Sequence, residues 1–208
     1  MIAYEQRLDQ DRRWALNEGG WHFQKDSEVF KSLQRIARRL DDLGLDYAVA
    51  GGMALFEHGF RRFTDDVDIL VTPENLKAIH DRLEGPGYVP PFTGSKQLRD
   101  VESGVRIEFL VTGAFPGDGK PKPVAFPDPA DVSEVRDGIS YLRLPTLIEL
   151  KLASGMTGGL HRLKDFTDVI ELIKVLALPA DFADRLDPYV RDRYAEFWTA
   201  LQEPAPEP

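Results

Sequence analysis

Two runs of sequence decide the fold of this chain: AGGM at Ala50–Met53 and TDDVDILV at Thr64–Val71. The second run is predicted to be a strand, because apolar and acidic residues alternate before its apolar end. Successive side chains of a strand point to opposite faces, so Asp66 and Asp68 share one face. Adjacent carboxylates repel each other, and a hard cation such as Mg²⁺, which prefers oxygen ligands, would remove that repulsion. The pattern therefore indicates a metal site at Asp66 and Asp68.

The glycines of the first run, Gly51 and Gly52, open a segment that is expected to be a short helix ending near Gly59. Without side chains at these positions, backbone N–H groups at the positive end of a helix can approach a phosphate closely. A tight strand-to-helix turn is the other use of such a pair. A phosphate cradle beside metal-binding carboxylates indicates phosphoryl or nucleotidyl transfer.

A third acidic residue, Glu108, lies in the apolar run Val105–Val111. The apolar residues of this predicted strand fall on one face, and Arg106 and Glu108 fall on the other. Glu108 therefore repeats the pattern around Asp66 and Asp68. The alternative is that Glu108 is only a cross-strand partner of Arg106 or of a nearby lysine.

The overall composition is that of an ordinary globular protein. The 208 residues are 42% hydrophobic and include no cysteine, so neither a disulfide nor a thiolate metal site can form. The formal net charge of −9 disfavours non-specific binding to DNA or RNA, which depends on neutralising phosphates. The first residues are too polar for a signal peptide, and no apolar run reaches membrane-spanning length. We therefore expect a cytoplasmic protein with no membrane partner.

The order of the periodic segments predicts an α/β (α+β) fold, in which a small mixed sheet is flanked by helices and followed by a helical C-terminal part. Residues 112–137 are rich in Gly, Pro and Asp and are expected to be irregular. In the central part, helices are expected at 27–43, 51–59 and 73–83. Strands are expected at 46–50, 64–71, 98–102, 105–111 and 139–144.

The two ends of the chain are expected to be helical. A weak helical pattern at residues 1–20 ends at Gly19 and Gly20, and a capping-box pattern at Thr146–Glu149 opens a helix that carries Lys151. Later helices are expected at about 160–176 and 188–201. The predicted division is an N-terminal helical extension (1–26), a core (27–144), a C-terminal helical region (145–201) and a disordered tail (202–208).

These motifs resemble those of the nucleotidyltransferase superfamily, which has the fold of DNA polymerase beta and of the small antibiotic nucleotidyltransferases. The superfamily pattern is an apolar residue, Gly, then Gly or Ser, followed after a gap by Asp, apolar, Asp or Glu, apolar. A third carboxylate lies on a later strand. Ala50–Gly52, Asp66–Ile69 and Glu108 match each element, and the resemblance covers roughly residues 46–176.

The closest resemblance is to bacterial AbiEii-type and minimal nucleotidyltransferases. Arg62–Leu70 looks like the Arg-x-Ser/Thr-x-Asp-x-Asp form of bacterial members. Lys151 and the run Arg162–Asp168 look like the Lys and Arg-x-Lys-Asp-x-x-Asp motifs of AbiEii-type proteins, some of which are toxins of toxin–antitoxin pairs. Asp165 and Asp168 both match the last aspartate of that motif. An antitoxin is therefore an implied partner.

The resemblance implies Mg²⁺-dependent transfer of a nucleoside monophosphate from an NTP. Asp66 and Asp68 are implied as ligands of one or two Mg²⁺ ions, and Glu108 as a further ligand or as a general base. The positions implied in nucleotide binding are Gly51, Gly52, Arg62, Lys151, Asp165 and Asp168.

The sequence leaves the acceptor open, as an RNA end such as that of tRNA, a protein side chain or a small molecule. Two rival functions are a non-catalytic nucleotide-binding module of the same fold and a metal-dependent phosphohydrolase. The presence of all three carboxylates argues against the module, and the Gly-Gly cradle favours a triphosphate donor over hydrolysis. The remaining explanation of Asp66 and Asp68 is the charged face of an exposed edge strand.

Overall fold

The computed structural model describes residues 2–203, and from residue 204 onward the predicted tail (202–208) lies outside the described residues. Within 2–203 the chain forms a seven-stranded mixed sheet flanked by helices, which confirms the predicted fold class. No helix in this range is both long enough and apolar enough to cross a membrane.

The described residues form nine α-helices, and 3-10 turns at Gly159–Arg162 and Ala180–Arg185 separate the last three of them. The helices are α1 (Tyr4–Gln10), α2 (Arg12–Phe23), α3 (Glu28–Asp42), α4 (Gly51–Glu57), α5 (Pro73–Leu83), α6 (Pro129–Val132), α7 (Leu144–Thr157), α8 (Leu163–Val175) and α9 (Pro188–Gln202).

The sheet has the strand order β3-β4-β5-β2-β1-β7-β6. Its strands are β1 (Ala48–Val49), β2 (Asp66–Val71), β3 (Tyr88–Val89), β4 (Gln97–Asp100), β5 (Arg106–Val111), β6 (Ser133–Arg136) and β7 (Ile139–Leu142). β2 is parallel to β5 and antiparallel to β1. Because β2 has a neighbour on each side, the edge-strand explanation of Asp66 and Asp68 is wrong.

Local signals in the sequence set the starts of α3 and α5. The side chains of Ser27 and Thr72 each accept a backbone N–H from the first turn of the helix that follows. Pro73 lies in the first turn of α5, where its missing N–H removes no helical hydrogen bond. The helices predicted at 27–43 and 73–83 are thereby confirmed.

The N-terminal part is more helical than the sequence predicts. The expected end at Gly19 and Gly20 is wrong, because α2 continues through both glycines to Phe23. Each glycine disfavours a helix by about 1 kcal/mol relative to alanine. Glu18 and His22, which flank the glycines, are fully buried and anchor α2 against the rest of the fold. Tertiary contacts therefore override the local preference.

The segment predicted to be irregular, 112–137, contains regular structure at its end. α6 and β6 lie within it, and β6 pairs antiparallel with β7. The connection is a two-residue turn in which Asp137 and Gly138 have φ of 49° and 78°. Asp-Gly between two extended runs is a strong hairpin signal, and the sequence analysis missed it.

The start of α7 differs from the prediction. The helix begins at Leu144, with Pro145 in its first turn, and the capping box at Thr146–Glu149 does not form. Glu149 instead accepts the backbone N–H of Asp187 at 2.7 Å. Pro145 was the better start signal, because its fixed φ suits the first turn of a helix.

A continuous apolar core includes residues from the N-terminal, central and C-terminal parts of the described chain. Tyr4, Leu33, Val67, Val169 and Tyr194 are all fully buried in it. This core fixes the sheet against its helices and so positions β2 and β5. The division into an extension (1–26), a core (27–144) and a C-terminal region (145–201) stays a prediction.

Candidate active site

Three carboxylates lie on one face of the neighbouring parallel strands β2 and β5. In the register of this pair, Asp66 lies beside Arg106 and Asp68 lies beside Glu108. The apolar residues between them, Val67 among them, are buried on the opposite face. The predicted shared face of Asp66 and Asp68 is confirmed, and the parallel pairing of β2 with β5 adds Glu108 to the same face of the sheet.

Asp66 is held by two neighbouring side chains. Thr64 Oγ1 donates to Asp66 Oδ1 at 2.9 Å, and Arg106 Nη2 donates to Asp66 Oδ2 at 2.7 Å. The alternative in which Arg106 pairs with Glu108 is therefore wrong. Within residues 2–203, the side chain of Glu108 takes part in no hydrogen bond or salt bridge, so its negative charge has no partner there.

Asp68 lies against the Gly-Gly turn. A Cβ on Gly51 would be 1.8 Å from Asp68 Oδ2, so only glycine fits at this position. Gly51 also has a φ of 56°, which other residues rarely adopt. The backbone N–H of Ala50 donates to the carbonyl oxygen of Asp68 at 2.8 Å and ties the turn to β2. Gly51 therefore makes room for a carboxylate of the chain itself.

The negative charge of Asp68 is poorly compensated. Its burial, followed by the charges of Asp66 and Glu108, raises the pKa of Asp68 to about 7. The charges of Lys151 and Arg106 act in the opposite direction but do not cancel this effect. A carboxylate in this condition, beside two others at a cavity, is typical of a functional site that receives a cation.

Gly52 is required by packing rather than by backbone conformation. A Cβ at this position would lie 2.6 Å from both Cβ and Oγ1 of Thr64. The first N–H groups of a helix have no partner within the helix. Because Gly51 and Gly52 line the cavity described below, the start of α4 borders the space in which a phosphate would lie.

A four-residue ion network, defined as Arg62, Lys151, Asp165 and Asp168, joins α7 and α8 to the segment before β2. Lys151 Nζ donates to Asp168 Oδ2 at 2.7 Å and to Asp165 Oδ1 at 3.0 Å. The Arg62 guanidinium donates to both carboxylate oxygens of Asp168, at 2.8 and 3.0 Å. Two positive and two negative charges therefore balance within the network.

The two aspartates that match one motif position have different surroundings. Asp168 is 1% exposed. Burial opposes its charge, but Lys151 and Arg62 together hold the pKa of Asp168 below its usual value. Asp165 is only partly buried and also accepts the Ser154 hydroxyl at 2.7 Å. Asp168 is thus the buried centre of the ion network, and Asp165 is its member at the cavity.

One cavity of about 380 Å³ brings the predicted site residues together, and Asp168 alone of them does not line it. Several other residues that line this cavity were not predicted as site residues. Arg106 could have been recognised, since it shares a strand face with Glu108. Arg162 and Lys164 also line the cavity; they belong to the run Arg162–Asp168 that carries the resemblance, but no role was assigned to them. No pattern marked other lining residues such as Pro116, Gly117 and Phe126.

The long segment between β5 and α6 is anchored on α7, where it forms part of the cavity wall. A Cβ on Gly117 would lie 2.4 Å from Thr157 Oγ1, so the two backbones approach closely there. Lys122 Nζ donates to the carbonyl oxygen of Pro116 at 2.6 Å and to Thr157 Oγ1 at 2.9 Å. These contacts make the wall a fixed feature of the fold.

Oxygen ligands for a cation are present, although they do not converge on one point. In the part of the chain between residues 2 and 203, no group of three or more His, Cys, Asp or Glu side chains is placed to hold a metal ion. Asp66 is instead paired with Arg106. The donor chemistry fits Mg²⁺, because three carboxylates share a face and the raised pKa of Asp68 reflects uncompensated negative charge.

No protein-family model matches this chain, and no curated protein matches its sequence. Among solved structures, an antigenic nucleotidyltransferase-like protein from Paracoccidioides brasiliensis is similar, with a TM-score of 0.51 and 18% identity over 84% of this chain and 88% of that chain. A candidate nucleotidyltransferase from Thermotoga maritima has a TM-score of 0.49 and 18% identity, over 68% and 93% of the two chains. ANT(2")-Ia in complex with adenylyl-2"-tobramycin has a TM-score of 0.48 and 12% identity, over 82% and 97%.

The first of these similarities shows that the chain has the fold of nucleotidyltransferase-like proteins, as the resemblance of its motifs predicts. At this level of identity the similarity concerns the fold alone. A closer relation to AbiEii-type proteins stays a prediction, as do the roles of the individual site residues.

Proposed function

We propose that this protein is a Mg²⁺-dependent nucleotidyltransferase, which moves a nucleoside monophosphate from an NTP to a hydroxyl or phosphate acceptor. The observation that carries the proposal is the register of β2 with β5. It places Asp68 beside Glu108, with Asp66 on the same face, at a cavity bordered by the glycines that begin α4. An unrelated structural role would not require a carboxylate and a glycine in such close contact.

The chain offers two kinds of group to the triphosphate. Unpaired N–H groups at Gly51 and Gly52 can donate to phosphate oxygens. Lys151 can add a positive charge by exchanging Asp165, its partner at the cavity, for a phosphate oxygen, while it keeps buried Asp168. Mg²⁺ held by Asp66 and Asp68 would neutralise charge on the triphosphate and on the departing pyrophosphate.

In the transfer itself, the acceptor oxygen attacks the α-phosphorus. A new P–O bond forms, the bond to the β-phosphate oxygen breaks, and pyrophosphate leaves with the electron pair. Glu108 is the group placed to take the proton of a hydroxyl acceptor, because its carboxylate lines the cavity and is unpaired within residues 2–203. Positioning and charge stabilisation supply the rest of the rate.

Binding of the donor is expected to raise the melting temperature. A ligand that binds only the folded state stabilises it by about 2.7 kcal/mol at a hundredfold excess over its Kd. The donor NTP with Mg²⁺ should therefore raise the melting temperature by more than Mg²⁺ alone does, whereas the nucleoside alone should not raise it. Differential scanning fluorimetry with the four NTPs measures the shift and identifies the donor base. The absence of a further shift with all four triphosphates at saturating Mg²⁺ would contradict a donor site in this cavity.

Glu108→Gln is expected to bind NTP like the parent and to lose transfer by about 10²–10⁴-fold, the usual contribution of a general base. Labelled NTP, Mg²⁺ and a cell extract supply the assay, and isothermal titration measures the binding. Arg106→Gln is the matched control on the same strand face, because it should alter Asp66 but leave the proton acceptor intact. Equal transfer by parent and Glu108→Gln would remove Glu108 from the mechanism.

The same assays separate the rival functions. A non-catalytic module would bind NTP and transfer nothing, and the ion pair that occupies Asp66 is the observation that favours this second candidate. A phosphohydrolase would consume NTP in the absence of an acceptor. The acceptor class (RNA end, protein or small molecule), a toxin role with an antitoxin partner and a cytoplasmic location remain predictions of the resemblance. The labelled fraction of the extract identifies the acceptor.

A further inference from the structure

His22, a residue of the N-terminal part of the chain, is bonded to the segment that leads into β2. Its side chain lies on α2 and the residue is fully buried. His22 Nε2 lies 3.2 Å from the backbone oxygen of Arg62, and His22 Nδ1 lies 3.3 Å from Ser27 Oγ. The proposed mechanism uses none of these contacts.

The partners of His22 define its protonation state. A carbonyl oxygen can only accept a hydrogen bond, so Nε2 must carry the proton that it donates to Arg62. Nδ1 then accepts the Ser27 hydroxyl, and Ser27 Oγ accepts the backbone N–H of Phe30. Every donor and acceptor in this chain of bonds is satisfied by a neutral ring.

The surroundings favour the same neutral state. The ring of His22 lies 5.0–5.9 Å, centroid to centroid, from the rings of Phe23, Phe30, Phe56 and Phe63. Burial lowers the pKa of His22, and the charge of Arg62 acts in the same direction, although the bond to the Arg62 carbonyl opposes them.

The carbonyl that His22 holds belongs to a segment with three contacts to the site. The side chain of Arg62 bonds to Asp168, Thr64 Oγ1 donates to Asp66, and Thr64 packs against Gly52. A shift of this segment would move an aspartate of the predicted metal site and the packing of the glycine turn together.

We propose that His22 is a positioning residue for nucleotidyl transfer, which acts through the Arg62 carbonyl to hold residues 62–64 in place. The inference rests on the proposed function. It assigns the N-terminal helices a part in the chemistry, since α2 supplies the contact that orients the segment before Asp66.

Three variants test this role. His22→Phe keeps an aromatic ring among the phenylalanines but removes the donor, and it is expected to lower kcat about tenfold or more, with a smaller change in KM for NTP. His22→Gln keeps an N–H at the position of Nε2 and is expected to stay within about threefold of the parent. Ser27→Ala removes the helix cap without removing the Nε2 contact, so it should lower the melting temperature and leave kcat unchanged.

A second measurement does not depend on enzyme activity, and His22→Gln is the one variant that must fold for it. In the ¹⁵N-labelled parent, long-range NMR couplings report the tautomer of each histidine, and the signal lost in His22→Gln identifies His22. The expected tautomer carries its proton on Nε2. A proton on Nδ1 would overturn the proposal whether or not His22→Phe folds.

The activity measurements also have outcomes that would overturn the proposal. Parent kcat in His22→Phe, or equal losses in His22→Phe and His22→Gln, would also overturn the positioning role. If Ser27→Ala lost as much kcat as His22→Phe, the effect of His22 would be one of general stabilisation, and the positioning role would be overturned. A parent that transfers nothing from any NTP would instead overturn the proposed function, together with the role of His22 in it, while the tautomer would still confirm the contact.

Discussion

Asp68→Asn is expected to lose nucleotide transfer by more than about 10²-fold and, at the same time, to unfold at a higher temperature than the parent in metal-free buffer near pH 8. The two effects have one cause. The carboxylate is partly buried among like charges. A cation would relieve this repulsion, and an amide does not experience it. A gain in stability together with a loss of activity is the mark of a site built for a ligand.

The sign of the stability change follows from the pKa of Asp68, which is about 7 in the folded chain and 3.8 for the free group. Well above pH 7 the group is charged in both states, so its full destabilisation of the fold is present. As the pH falls below 7, the folded state takes up a proton first and the parent regains stability. The difference in melting temperature between Asp68→Asn and the parent should therefore shrink from pH 8 to about pH 5.

Asp66→Asn is the matched control, because it removes the same charge from the same strand face. It should also lose transfer, but it should not gain stability, since Arg106 would lose its carboxylate partner at 2.7 Å. The two aspartates therefore differ, because Asp66 has an ion-pair partner whereas the charge of Asp68 is repelled by those of Asp66 and Glu108. Thermal unfolding of both variants from pH 8 to about pH 5 measures whether Asp68→Asn gains stability while Asp66→Asn does not. Transfer that survives in either variant would rule out the metal site.

Asp168→Asn is expected to lower the free energy of unfolding by about 3–5 kcal/mol, because it leaves two buried cations with one carboxylate fewer. The side chains of Asp168, Lys151 and Arg62 are only 2%, 10% and 18% exposed. The pKa of Asp168 is lowered in the folded state, so its contribution is present above the pKa of the unfolded chain and is lost as the pH falls through the folded value. Urea unfolding at neutral pH measures the loss.

Asp165→Asn is the comparison for Asp168→Asn within the same ion network. Asp165 contacts one cation, Lys151, and its amide replacement can still accept from Lys151 and Ser154. We expect a loss of about 1 kcal/mol in this variant. A loss as large as that of Asp168→Asn would mean that the two aspartates contribute equally to the ion network.

The sequence predicted the strand face of Asp66, Asp68 and Glu108 because alternation along a strand has a fixed period of two. It did not predict that Arg106 bonds to Asp66, since the choice between two carboxylates depends on the register of β2 against β5 and on side-chain rotamers. Local pattern carries no information about either. The tertiary anchoring of α2 by buried Glu18 and His22 was hidden for a similar reason.

Pairings across long stretches of chain were equally out of reach. Arg62 and Asp168 are distant in sequence, and only the packing of α8 brings them together. The Asp137-Gly138 hairpin is a different case, because a local signal was present and was outweighed by the surrounding Gly and Pro content. The close approach of Gly51 to Asp68 could not be predicted, although both residues were identified separately.

In the proposed function, the close approach of Gly51 to Asp68 would couple the binding of the donor phosphate to the binding of the cation. Gly51 and the carboxylate oxygen of Asp68 leave no room for even one carbon atom between them. If a phosphate binds at the turn and a cation binds at the strand, as proposed, the close contact between Gly51 and Asp68 would couple the two binding events. If the bound phosphate changes the affinity for the cation by some factor, the bound cation changes the affinity for the phosphate by the same factor, because such coupling is reciprocal. In the proposed function, donor and cation would therefore bind as a coupled pair.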